Sequence, residues 1–344
     1  MPTARAPGRV TIIGDHTDYN EGLSLPMAID LATEVTFEPT PGSFLVGLHS
    51  DQFAEPWEIA LGGAAPSSPE AVLAAALLRL AGPPCGGAIT VTSTVPVGAG
   101  LSSSAAFSVA LLLALGVDPG DPLDVARRCQ EAERMAGVHV GLLDPLTICA
   151  AEAGHALHID FATLQTRPVP LPDQAAFVIV HSEASRQLGA SPYATRRAEC
   201  ERAANQLGRP LGRCQPGDLS ALRDPVLRRR ARHVVTECGR VREIERLLER
   251  GELSNLAAVG EVMSEGHRSL AEDFRVSVPA VDELVDHLQG QPGVLGARMT
   301  GGGFGGCVIA LCRPDSPALQ ADYHAPRRAW RVSPSAGAAR RSTW

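Results

Sequence analysis

The stretch Pro96-Val-Gly-Ala-Gly-Leu-Ser-Ser-Ser-Ala-Ala106 has the composition of an anion-binding loop. Gly98 and Gly100 let backbone N–H groups come close to a ligand. The serines stand where a helix opens, so unpaired N–H groups and a positive dipole end face the same anion. Their hydroxyls can donate to phosphate oxygens or ligate a metal. The alternative is a tight strand-to-helix turn with a serine cap. A second cluster, Asp15, His16 and Asp18, falls within four residues between apolar runs, as a site would, although a hairpin turn uses the same residue types. Glu131 has Arg127, Arg128 and Arg134 at helical spacing and reads as a solvated ion-pair residue. Glu133 borders the apolar face of the same segment, where a carboxylate needs a partner such as a metal ion. Asp144 sits among apolar residues directly before Pro145, where a helix cap is the simpler reading. Five glycines among residues 301–306 imply a close backbone approach to something.

These residues need elements to hold them. A strand over 88–95 feeds the first glycine loop, and an apolar run over 105–115 leaves it as a centrally buried helix. Asp121-Pro122 opens a helix that ends near Gly137. Strands are expected at 9–13, 23–31, 35–37, 155–161 and 176–181, and the segment 307–312 is strand-like. On a strand His155 and His158 point to opposite faces, which excludes a metal pair there. Residues 52–84 hold one helix from about Pro69 and no chemistry. From 216 to 290 the pattern is helical, and the charge runs at 228–232 and 243–250 read as solvated faces. The tail after Arg313 is rich in proline and arginine and carries no assigned element.

Composition excludes some classes. The formal net charge is -7, unlike a typical nucleic-acid binder. All 31 basic residues are arginines, so a lysine-bearing P-loop is impossible. Phosphate charge must then be met by arginine, metal or backbone amides. The eight cysteines form no C-x-x-C pair and read as reduced thiols of a cytoplasmic protein. No signal-peptide core opens the chain, and no apolar run is long enough to span a bilayer.

Taken together, the segments resemble the GHMP kinases and, within them, the galactokinase family. The resemblance is carried by Ala6–Gly22, Pro96–Ala106, Gln130–Glu133, Gly141–Asp144, Ser191–Cys200, Met263–Leu270 and Arg298–Cys307. It implies an α+β fold of two domains, placed at 1–165 and 166–344. The first would be ribosomal-S5-like and the second ferredoxin-like, with the active site in the cleft between them. It implies ATP-dependent transfer of a phosphoryl group to the anomeric 1-hydroxyl of galactose, with Mg²⁺. Asp144 would take the sugar proton and Arg9 would stabilise the moving phosphoryl group. Ser104 and Glu133 would hold the metal. Gly98, Ala99, Gly100, Leu101, Ser102, Ser103 and Ser104 would cradle the ATP phosphates, with Ser50 a further nucleotide contact. Asp15, His16, Thr17, Asp18 and Tyr193 would bind sugar. The partners would be small molecules, with no nucleic acid or membrane, and the protein a monomer or weak dimer.

The chain departs from the family pattern at three points. Asp15 stands where glutamate is usual and is one methylene shorter, which leaves other sugars, N-acetylgalactosamine or arabinose, as the alternative substrates. Glu133 is one residue nearer Asp144 than the family spacing; its inward face puts the deletion after it. Pro145 replaces a common glutamine. From another class, a non-catalytic sugar and ATP sensor is the competing reading, and intact Arg9, Ser103, Ser104, Ala105 and Asp144 speak against it.

Overall fold

The computed structural model describes every residue except 53–54, 64–67, 139, 185–191, 251–254 and 342–344. The resemblance at Ser191 therefore lies outside the described residues.

The N-terminal part is built on long strands. β1 (Thr3–Ile13) and β2 (Leu23–Pro39) pair antiparallel. β3 (Leu45–Ser50), β4 (Trp57–Ala60) and β5 (Gly87–Ser93) extend the same sheet, β3 lying parallel to β5. β4 arises in a segment whose sequence showed only a helix. That helix, α1 (Pro69–Ala81), starts with Ser68 capping the N–H of Ala71 and Pro69 in the first turn.

α2 (Ser103–Ala114) starts two residues before its apolar run and buries nearly its whole length. With Val109, Leu111 and Leu112 fully buried, it is a central rod of the first core. Each such side chain contributes roughly 1.5–3 kcal/mol by leaving water. α3 (Pro122–Met135) is capped by Asp121, as its sequence requires, and α4 (Leu143–Ala150) follows. β6 (His155–Asp160) pairs with β2 and with β7 (Gln165–Pro170). His155 and His158 do lie on a strand, and His158 hydrogen-bonds Glu245.

A second, four-stranded sheet has the order β11-β8-β10-β9. Its strands are β8 (Ala176–His181), β9 (Val294–Met299), β10 (Cys307–Cys312) and β11 (Ala329–Val332). α5 (Pro192–Leu207), α6 (Pro225–Glu249), α7 (Asn255–Ser269) and α8 (Pro279–Gln289) complete this part. Side chains from both faces of this sheet join the cores, Ile179 and Ile309 the first, Val178 and Ala310 the second. The tail forms β11 and also β12 (Ala339–Arg341), which returns to pair with β1. Thus β7 and β12, from beyond residue 164, hydrogen-bond in the first sheet.

The solvated-face reading of the charge runs needs correction. Arg230 is buried, giving Nε to Glu199 at 2.7 Å and Nη1 to the Asp273 carbonyl at 2.6 Å. Glu245 is buried against His158. α6 packs on both sides, so charges at alternate turns are covered and find partners. All eight cysteines are free. Among the described residues no helix is long and apolar enough to cross a membrane.

Candidate active site

β1 delivers Arg9 to the glycine loop. The Arg9 N–H donates to the Leu101 carbonyl at 3.1 Å, and Nη1 donates to the Gly100 carbonyl at 2.8 Å. The loop itself turns through Gly98 (φ 75°) and Gly100 (φ 82°), where a side chain would be strained. The rest of the Arg9 fork engages Asp144. Nε meets Oδ1 at 2.6 Å and Nη2 meets Oδ2 at 2.7 Å, a bidentate charge-assisted pair. Ser102 Oγ also donates to Asp144 Oδ2. Asp144 lies in the first turn of α4, yet its carboxylate reaches across to β1 and the loop. The helix-cap reading is therefore replaced by an ion pair between residues 135 apart in the sequence. Its side chain keeps 34% of its surface open, against 8% for Arg9.

In the first turn of α2, Ser104 Oγ donates to Glu133 Oε1 at 3.1 Å. Glu133 is buried, and its carboxyl is raised to about 7, by burial first and then by the negative charge of Asp144. Glu131 points away and forms an exposed pair with Arg134 at 2.6 and 2.8 Å. The helical-period argument that separated the two glutamates matches this placement. A buried carboxylate short of cationic partners, beside a hydroxyl and a helix N-terminus, is an oxygen donor set suited to a hard divalent cation. Among the described residues no three His, Cys, Asp or Glu side chains gather as a closed metal cage. A cation here would complete its shell with phosphate oxygens and water, as magnesium usually does.

The loop 14–22 forms the other wall. Asp15 is buried, with Oδ2 accepting from Arg298 Nη2 at 2.8 Å and Oδ1 from the Gly301 N–H at 2.8 Å. Burial outweighs Arg298 and raises its carboxyl to about 6. Thr17 turns its hydroxyl inward to the Gly14 and Leu23 carbonyls, at 2.8 and 2.7 Å, where it shapes the turn. Asp18 stays partly exposed. Its carboxyl is raised to about 6 by burial, opposed by the Tyr19 N–H and reinforced by nearby Asp144. A Cβ on Gly141 would stand 1.6 Å from Asp18 Oδ2, so a side chain there would have to displace this carboxylate. His16 places Nδ1 3.0 Å from the Tyr19 hydroxyl, and its ring lies 5.5 Å from that of Tyr193 and 4.7 Å from that of Phe274. Tyr193 opens α5 and contacts Tyr19 edge-on at 5.8 Å.

The expected residues other than Ser50 thus form one constellation. Ser50 ends β3 opposite Val91 on β5, and its Oγ accepts from the Gln52 N–H. Behind Asp15 stands a network that pattern reading missed. Glu237 is fully buried and accepts from the Gly14 N–H (2.9 Å), Arg298 (2.8 Å) and Arg240 (2.8 Å). Despite burial, its carboxyl is held well below the usual range by Arg298 and Arg240. His233 links Ser269 to the Asp15 carbonyl, and burial lowers its imidazole to about 4. The one available signal was Arg298, the first residue of the second glycine motif.

The arrangement offers an open carboxylate beside a guanidinium, a phosphate-type loop, a cation-ready carboxylate and an aromatic wall with further carboxylates. Comparison with known proteins agrees. Family descriptions match three segments: "Galactokinase galactose-binding signature" at 2–39, "GHMP kinases N terminal domain" at 70–152 and "GHMP kinases C terminal" at 243–329. Human galactokinase is 40% identical over 325 residues, covering 89% of this chain and 82% of its own. Bovine galactokinase is 39% identical over 343 residues, covering 93% and 87%. The structure of Lactococcus lactis galactokinase complexed with galactose superposes with a TM-score of 0.87 at 28% identity, covering 98% and 94%. Methanococcus jannaschii mevalonate kinase shares the fold, with a TM-score of 0.67 at 18% identity, covering 96% and 97%.

Proposed function

Since the chain belongs to the galactokinase family of GHMP kinases, we propose that it transfers the γ-phosphoryl group of ATP to the 1-hydroxyl of galactose. The observation that carries this reading is the convergence of Arg9, Ser102 and Asp144 at the mouth of the glycine loop, next to Asp18. In the reaction the sugar O1–phosphorus bond forms and the bond from the γ-phosphorus to the bridging β,γ-oxygen breaks. ADP leaves, and the hydroxyl proton passes by way of Asp144 to solvent.

Each residue has a share in this. Asp144 orients the hydroxyl and accepts its proton, its carboxylate already aimed by Arg9 and Ser102. Arg9 has five N–H donors. Three are used on Asp144 and Gly100, leaving two for the oxygens of the moving phosphoryl group. Residues 98–104 present backbone N–H groups and hydroxyls to the phosphates, with Ser50 near the nucleotide. Ser104 and Glu133 would hold Mg²⁺, which when bound offsets phosphate charge. Asp18, His16 and Tyr193 bind and orient the sugar. Asp15 and Thr17 hold the loop that carries Asp18 and His16. The proposal includes a cytoplasmic enzyme acting on small molecules as a monomer or weak dimer, with its functional halves, 1–165 and 166–344, meeting at this site.

The test is ADP release with a panel of sugars, scored by kcat/KM. Galactose should lead. A clear preference for arabinose or N-acetylgalactosamine would move the substrate, and no turnover with any sugar would favour a sensor. One observation keeps the panel necessary. Both Asp15 oxygens already have protein partners, so this short side chain is poorly placed to select among sugars.

A further inference from the structure

The parts of the proposed catalytic centre lie on three elements: Arg9 on β1, Ser102–Ser104 at the start of α2, and Asp144 in the first turn of α4. One short stretch of the C-terminal tail touches all three. β12 pairs with β1, Ala339 standing opposite Arg5. Arg340 lies over the far end of α2, its Nε donating to the Leu113 carbonyl at 2.9 Å and its Nη2 to the Val117 carbonyl at 2.7 Å. The Gly337 and Ala338 N–H groups donate to the Ala151 and Ile148 carbonyls, at 2.8 and 2.7 Å, at the far end of α4. A Cβ on Gly337 would sit 2.8 to 3.0 Å from the carbonyls of Cys149, Ile148 and Ala151, so the tail can pass there only as glycine. Upstream, Ser335 is tied to β2 through the carbonyls of Ala28 (3.0 Å) and Ile29 (2.9 Å).

A helix leaves its last carbonyls without partners and carries partial negative charge at that end. Here α2 receives a guanidinium and α4 receives two N–H groups, both from residues 337–340. The opposite ends of the same two helices carry the chemistry. At about 1.5 Å per residue, α2 is about 18 Å long and α4 about 12 Å. Rods this short, held at one end, set the axial position of the other.

We propose that residues 335–340 form a positioning strap, in which Arg340 and Gly337–Ala338 keep Ser102–Ser104 and Asp144 in register with Arg9. Arg340 and Gly337 are positioning residues in this scheme, since neither reaches the substrate. The inference rests on the kinase reading above. Arg340 is at the surface, so replacing it leaves both cores intact.

The experiment is steady-state ADP release with galactose for Arg340→Met and Arg340→Lys, joined to amide hydrogen exchange of the free proteins. Arg340→Met should lower kcat about tenfold while the galactose KM stays within about twofold, the pattern of a displaced reacting group. Lysine should recover part of the loss. Exchange should quicken at 99–106, the loop end of α2, as well as at 113–117. Gly337→Ala should quicken exchange at 143–147 and lower kcat in the same way; if it does not fold, the Arg340 variants decide alone. A kcat within about twofold of the unaltered enzyme, or exchange changed at 113–117 alone, overturns the strap. An unaltered enzyme that releases no ADP with any sugar fails the kinase reading instead, and the two failures are distinct.

Discussion

Among the described residues, the two aspartate–arginine pairs that join the most distant parts of the chain, 135 and 283 residues apart, differ in what surrounds them. Asp144–Arg9 is bidentate, with a third of the aspartate side chain open. Asp15–Arg298 has 3% and 0% exposure, and Glu237 shares the same arginine. An open carboxylate can meet a substrate hydroxyl, and Arg9 has donors to spare. A sealed carboxylate with both oxygens partnered can only hold its loop in place. On the proposed reading the same two residue types serve reaction in one place and architecture in the other, and solvent access is what separates them.

Breaking each pair should give different kinds of loss. Asp144→Asn should lower kcat about 100- to 10,000-fold, the range for removing a positioned acid–base group. ATP binding, followed by calorimetry, should be little changed; near-normal turnover would remove Asp144 from its role. Arg298→Met should instead destabilise the fold by about 3–5 kcal/mol in denaturant titration, because it strands two buried carboxylates. A small loss would show that Asp15 and Glu237 take up protons at little cost.

The buried pair also predicts a pH signature. Asp15 has its carboxyl raised from 3.8 to about 6, burial outweighing Arg298. Folded protein therefore holds this proton more tightly than the unfolded chain. The contribution is complete below about pH 4 and is lost as pH rises through about 6, on the order of a few kcal/mol. Asp15→Asn lacks this titration, so the stability of the unaltered protein relative to the variant should decline across that window. A constant difference in denaturant titrations from pH 4 to 7 would refute it.

The smallest effect tests the neighbouring glutamates. Glu133→Gln should raise the Mg²⁺ needed for half-maximal rate at least about tenfold, the lower end for changes around a metal site. Glu131→Gln should leave it unchanged, since that carboxylate faces solvent beside Arg134. The reverse result would exchange their roles.

Much of the site is written in local pattern. Helical periodicity separates Glu133 from Glu131, because successive residues on a helix point about 100° apart. Glycine and serine chemistry marks the loop at 98–104, whose turn needs positive φ at Gly98 and Gly100. The Asp121-Pro122 opening of α3 and the span of β8 are legible for the same reason: each depends on neighbours in the chain. What pattern cannot supply is partnership across distance. Asp15 and Arg298 are 283 residues apart, and Thr11 and Thr300 are 289 apart. Nothing local says that Arg230 is covered, or that Asp144 turns from its own helix to Arg9. The tail is the extreme case. Its arginines and prolines have no period, yet β12 and Arg340 find β1 and α2 once the sheet exists to receive them. Sequence by itself determined which residues could act and which way their elements face, since φ preference and side-chain period are properties of a few adjacent residues. Only the tertiary structure decided which charges meet and which of them water can reach, because burial and pairing are set by the whole packed chain.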